Sequence, residues 1–196
     1  MTYKSGPHFL QIPGPSHVPG RILRAIGQPT IDHRGPEFQA LAKEALAKIK
    51  PVFKTEQPVI IFPSSGTGAW EAALVNVLSP GDKVLMYETG QFATLWHELA
   101  TRIGLVPEFI AGDWRHGVDP EKITARLKQD TKHEIKAVCC VHNETSTGVT
   151  SRIGLVRKAI DAADHPALFM VDTISGLASA DYRHDEWGVD VTITGS

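Results

Sequence analysis

Four stretches of this sequence place chemically capable side chains at or just after short apolar runs. Asp172 closes ALFMVD and is followed by Thr173-Ile174-Ser175-Gly176. A carboxylate there can pair with a protonated ring nitrogen and raise that nitrogen's pKa; the ordinary alternative is an Asp that caps the next turn or binds a metal. Pro63-Ser64-Ser65-Gly66-Thr67-Gly68 follows VIIF and leads into a helical pattern. Glycine lets the backbone approach a ligand, the hydroxyls offer donors, and the free amides of a helix start favour a phosphate. The stretch lacks the Gly-Lys-Ser/Thr ending of a P-loop and the GxGxxG spacing of a dinucleotide site. A plain tight turn stays open as its other reading.

The third stretch, His142-Asn143-Glu144-Thr145-Ser146-Thr147-Gly148, follows IKAVCCV. It can reach a ligand hydroxyl, or it can form Ser/Thr turns that end in glycine. No second His or Cys stands at ligand spacing from His142, so a hydrogen-bonded loop histidine is expected and no metal site is assigned. Phe92 opens a helix after KVLMY, where an aromatic ring either stacks on a planar ligand or fills the core.

The elements that must carry these residues alternate along the chain. Strands are expected over Val59 to Phe62, Lys83 to Tyr87, Leu105 to Ile110, Ile135 to Val141, Leu168 to Val171 and Val191 to Thr194. Between most of them run helical patterns over Gly68 to Leu78, Gln91 to Ile103, Pro120 to Lys128 and Ile153 to Ala163. This is the βαβ rhythm of a mainly parallel sheet covered on both faces. In open sheets of this kind ligands bind beyond the carboxyl ends of the strands, which is where the four stretches fall. A further helix is expected from Pro36 to Lys50, with Phe38, Leu41, Ala42, Ala45, Leu46 and Ile49 forming a stripe that packs on the core. The order gives an α/β protein with an irregular N-terminal arm over 1–35 and one large domain over 36–196.

Composition narrows the function classes. Lys plus Arg number 20 against 22 Asp plus Glu, a net charge of -2, so no broad basic field is present to attract nucleic acid or anionic lipid. The apolar runs are too short for a membrane-spanning helix, and the Pro- and Gly-broken N-terminus has no secretion-signal core. Cys139 and Cys140 are adjacent in AVCCV and should point to opposite faces of a strand. A reducing compartment fits such thiols better than a disulfide framework.

PGPSHVP near the start, DHRGPEF at 32–38, SSGTGAWEAALVNVLSPGD at 64–82, HNETSTGV at 142–149, VDTISGL at 171–177 and DVTITGS at the end stand in order along the chain. Together they resemble the class V, fold type I aminotransferases that depend on pyridoxal 5'-phosphate (PLP), in particular the serine-glyoxylate and alanine-glyoxylate branch. The resemblance implies the three-layer PLP-binding domain of that fold. It implies that Ser65, Gly66 and Thr67 hold the cofactor phosphate and that Phe92 and Ile174 pack on its ring. It further implies that Thr145 bonds near the ring hydroxyl and that Asp172 pairs with the ring nitrogen.

In the family the Gly-Ser pair is followed by Gln and then by the lysine that binds the cofactor. Here Ser196 is the last residue, so no catalytic residue is assigned within the chain, and the fragment is expected to be inactive alone. Lys83, Lys122, Lys128, Lys132, Lys136 and Lys158 do not match the lysine position. The implied reaction of the complete enzyme moves an amino group from serine, or from alanine, to glyoxylate. A cytoplasmic homodimer without nucleic-acid or membrane partners is the implied setting. Two rival readings remain: a non-catalytic PLP-binding or scaffold fragment, and another class V PLP enzyme. A nucleotide-dependent oxidoreductase is disfavoured, since no acidic residue follows a proper glycine fingerprint.

Overall fold

The computed structural model describes residues 10, 12, 14 and 16–195; Ser196 and the prolines of the PGPS loop, Pro13 and Pro15, lie outside them. The chain divides into two compact units, Met1–Ala45 and Leu46–Ser196. The first contains α1 (Gly20–Ile26), a short helix that buries none of its residues. Ile22, Leu23 and Ile26 stand at helical spacing but are exposed, and a run of seven residues among prolines and glycines is too short to mark a helix by periodicity. Helix α2 (Pro36–Phe53) begins with proline in its first turn, where a missing N–H costs nothing, and it buries only Phe53. The expected core stripe is therefore corrected: Phe38, Leu41 and Leu46 are exposed. Spacing sets which residues share a helix face, not whether anything covers that face.

The second unit is built on β1 (Lys83–Tyr87), β2 (Val106–Ile110), β3 (Ile135–Val141), β4 (Leu168–Asp172) and β5 (Val191–Ile193). They form one parallel sheet in the order β2-β1-β3-β4-β5. Helix α3 (Gly66–Val77) precedes β1, and α4 (Gln91–Arg102), α5 (Pro120–Gln129) and α6 (Ile153–Ala162) separate β1, β2, β3 and β4 in sequence. Asp119 caps α5 by accepting the Glu121 amide at 2.9 Å, with Pro120 in the first turn, as the Asp-Pro-Glu signal predicts.

The middle strand β3 shows how the sheet is buried on both sides. Ile135, Val138 and Cys140 join a core with Ile123 and Leu127 of α5 and with Ile153, Val156 and Ile160 of α6. Ala137, Cys139 and Val141 join a second core with Trp70 and Leu74 of α3 and with Ala93 and Trp96 of α4. Strand geometry sends successive side chains to opposite faces, so the two neighbouring thiols part as expected. Both cysteines are free and buried, and burial pushes the Cys140 thiol up to about 12.

One strand expectation fails. Val59 to Phe62 forms no strand among the described residues, and Ile60, Ile61 and Phe62 are 72%, 63% and 54% exposed. A β-rich run becomes a strand only where a neighbour supplies the ladder hydrogen bonds, and none of the five strands pairs with it.

The chain passes from β1 to β2 on one side of the sheet and then returns to place β3 on the other side of β1. Such a reversal opens a crevice at the carboxyl ends of the two diverging strands.

Candidate active site

The loops at those carboxyl ends converge on one cleft. Gly66 and Thr67 from the start of α3, Phe92 from the start of α4, Thr145 from the loop after β3, and Asp172 and Ile174 at the end of β4 all line it. These are six of the seven residues picked from the sequence; Ser65, the residue before α3, is exposed and is not among the lining side chains. Trp70, Val141 and Asn143 complete the wall. Among the described residues no lysine is part of it.

The start of α3 is shaped by close approach. A Cβ on Gly66 would stand 2.4 Å from Cδ1 of Ile174, and one on Gly68 would stand 2.1 Å from the Ser64 hydroxyl. The glycines thus let α3 come against Ile174 and let the Ser64 side chain fold under the helix. Ser65 makes no capping hydrogen bond. The first amides of the helix have no carbonyl one turn back, which leaves donors and the positive end of the helix dipole available to an anion.

Asp172 is 3% exposed. Its Oδ2 accepts the indole N–H of Trp70 at 2.7 Å, and its Oδ1 accepts the Ile174 amide at 2.7 Å. Burial pushes the carboxyl up to about 6, the two hydrogen bonds pull it back, and the charge of Glu144 adds to the upward push. The local cap expected as the ordinary alternative is present through the Ile174 amide. A carboxylate has room for about four hydrogen bonds, so Asp172 can take another donor, and a cationic donor would offset its buried charge.

Trp70 was not singled out from the sequence. Its partner lies 102 positions away, so no local pattern shows the pairing; the only signal is that a buried tryptophan needs an acceptor for its N–H. Trp70 also stacks on Trp96 at 5.9 Å and meets the Phe92 ring edge-on at 6.5 Å. Glu144 was also missed. It is fully buried and accepts hydrogen bonds from Phe92, Ala93 and Ser146.

His142 departs from expectation. It is 2% exposed, packs against Tyr182 at 5.4 Å and Trp187 at 6.2 Å, and its Nδ1 has no partner among the described residues. It is an aromatic-packed core residue rather than a hydrogen-bonded loop histidine, and burial lowers its pKa. Among the described residues no group of three or more His, Cys, Asp or Glu could hold a metal ion. No helix among them is long and apolar enough to cross a membrane. Of the lysines, Lys83 pairs with Glu134 at 2.5 Å, and Lys122 stands over the Tyr87 ring.

Comparison with known proteins gives a consistent family. The model of the class-V aminotransferases matches residues 10–196. The chain is 50% identical over 196 residues to a serine–glyoxylate aminotransferase of Methylorubrum extorquens, covering 100% of this chain and 49% of that protein. It is 48% identical to an L-aspartate–glyoxylate aminotransferase of Paracoccus denitrificans, covering 94% and 47% respectively. Among solved structures, the ureidoglycine-glyoxylate aminotransferase of Bacillus subtilis superposes with a TM-score of 0.89 at 28% identity, over 98% of this chain and 49% of that one. The chain spans about half the length of the curated relatives it matches. On its sequence, its parallel α/β fold and these matches, it belongs to the class-V aminotransferases.

Proposed function

We propose that the cleft holds pyridoxal 5'-phosphate and that the whole protein transfers an amino group from an amino acid, serine favoured and alanine possible, to glyoxylate. The observation that carries this reading is the buried carboxylate of Asp172 in a cleft also lined by Phe92 and Ile174. The residues present fit the group. Asp172 would hold the ring nitrogen protonated, because a carboxylate with little solvent interacts strongly with a neighbouring cation. Ser65, Gly66 and Thr67 would hold the phosphate at the α3 amides, Thr145 would reach the ring hydroxyl, and Phe92 and Ile174 would cover the ring.

When bound, the cofactor carries the amino group between donor and acceptor and draws electrons from the reacting carbon. This chain's part is to bind, orient and exclude water. Trp70 fixes the Asp172 carboxylate through Oδ2 and the Ile174 amide fixes it through Oδ1, so its charge is held in place before a ligand arrives. Serine as donor is supported by the likeness to the Methylorubrum serine–glyoxylate aminotransferase, and glyoxylate as acceptor by that relative and by the Paracoccus L-aspartate–glyoxylate aminotransferase. A homodimer and a cytoplasmic setting belong to the same proposal; the buried free thiols are compatible with the latter.

Titrating the chain with PLP while following tryptophan fluorescence tests the cofactor reading, since Trp70 lines the cleft. Asp172→Ala removes a charged hydrogen bond and should weaken binding about ten- to a hundredfold. Equal affinity in parent and variant would overturn the role of Asp172. Assay of the full-length protein with glyoxylate and serine, alanine or aspartate then ranks the donors.

A further inference from the structure

Glu144 is fully buried in a loop of otherwise uncharged residues, yet no ion pair among the described residues accounts for it. Its carboxylate serves two segments instead. Oε1 accepts the Phe92 amide at 3.2 Å, the Ser146 amide at 3.2 Å and the Ser146 hydroxyl at 2.7 Å, while Oε2 accepts the Ala93 amide at 3.1 Å. The Ser146 hydroxyl oxygen in turn accepts the Gln91 amide at 2.9 Å. The first three amides of α4 are thus closed by a carboxylate and a hydroxyl from the loop after β3. This is a helix cap supplied from a distant segment, with a negative charge at the positive end of the helix dipole.

The neighbouring backbone is shaped around it. A Cβ on Gly90 would stand 2.5 Å from Cγ of Glu144 and 2.6 Å from the Ser146 hydroxyl, contacts that real side chains do not make. Only glycine at position 90 lets the two segments close. The clasp joins Phe92 on α4 to Thr145 on the loop, and both line the cleft beside Asp172. Glu144 itself is not part of the lining.

We propose that Glu144 is a positioning residue: by capping α4 from the loop after β3, it sets where Phe92 and Thr145 stand in the cleft. The inference rests on the cofactor reading for its consequence, but the placement of Phe92 can be read without any ligand. A carboxylate accepts on both oxygens, whereas a glutamine amide accepts on one and presents an N–H₂ where the other was. Glu144→Gln therefore leaves an α4 amide facing a donor, and the start of the helix must give way.

The test uses the 196-residue chain and two variants, Glu144→Gln and Gly90→Ala; the second displaces the carboxylate without altering it. The ligand-free readouts are hydrogen exchange at the Phe92 and Ala93 amides and the nuclear Overhauser contact between the Phe92 and Trp70 rings. Both variants should exchange those amides faster and lose the ring contact, while the amides of β3 and β4 stay protected. Retention of the ring contact and protection in Glu144→Gln overturns the proposal, as does loss of protection throughout the sheet in both variants.

A double-mutant cycle with PLP as the probe supplies the functional arm. Gly90→Ala, which keeps the Glu144 charge that acts on Asp172, should weaken binding roughly tenfold in the parent and markedly less in a Phe92→Ala background, because the effect of the displaced carboxylate runs through Phe92. Equal losses in both backgrounds would make Glu144 merely structural. If the parent takes up no PLP while the ring contact responds as expected, the cofactor reading fails and the positioning of Phe92 by Glu144 stands.

Discussion

At the scale of the residue, the decisive group is a carboxylate that the fold tolerates rather than favours. Folded Asp172 titrates at about 6 against an ordinary 3.8, so the native state holds this proton more tightly than the unfolded chain. The sign follows: Asp172 costs the fold nothing below about pH 4, and its cost grows as pH rises through the window from about 4 to about 6. At about 1.4 kcal/mol per pH unit the full cost is roughly 3 kcal/mol. In Asp172→Asn a single amide oxygen cannot accept from both Trp70 and Ile174, which costs about 1–3 kcal/mol at every pH. Urea unfolding should find the variant less stable than the parent near pH 4 and should find it gaining about 3 kcal/mol on the parent by pH 7. A stability difference that does not change with pH would show that Asp172 is not desolvated as described. Sites built for ligands carry such local costs in their empty form.

At the scale of the element, capping and pairing decide what a sequence pattern becomes. Asp119 and Pro120 sit next to each other in sequence and begin α5 as their chemistry dictates. Asp119→Ala should cost about 1 kcal/mol in denaturant unfolding; no measurable loss would mean that packing of Ile123 and Leu127 alone holds the helix start. The run from Val59 to Phe62 has equally clear β-propensity but no neighbouring strand. Ile61 is 63% exposed, so Ile61→Ser should change the stability of this chain by no more than about 0.5 kcal/mol. A loss of several times that value would show that the run is packed in solution. Helix α2 makes the same point, for its apolar spacing is regular and most of its apolar face is open.

At the scale of the whole molecule, stability resides in a sheet buried on both faces. Phe169 of β4 is fully buried and joins the core formed with α5 and α6. Phe169→Ala should therefore cost about 3–5 kcal/mol, readable as a lowered urea midpoint. A cost below about 1 kcal/mol would contradict a close-packed layer between sheet and helices. The rigid centre also explains the position of the cleft. Parallel strands all deliver their following loops to the same edge of the sheet, and the reversal between β1 and β3 leaves space there for a ligand.

The sequence by itself determined most of the elements and the side chains able to do chemistry. Apolar runs with turn residues after them marked β1 to β5, and helical spacing with Pro, Asp and Gly signals marked α3 to α6, because these depend on interactions within a few residues. It also placed Phe92, Thr145, Asp172 and Ile174 at or just after strand ends, where the parallel order brings them together, and Thr67 at a helix start. Only the tertiary structure decided that Val59 to Phe62 is left without a partner and that His142 is packed among aromatic rings. It alone revealed Trp70 as the donor to Asp172 and Glu144 as the cap of α4. Each of these depends on a partner distant in the chain, and a hydrogen bond or a buried face is a property of two surfaces, of which local sequence describes one.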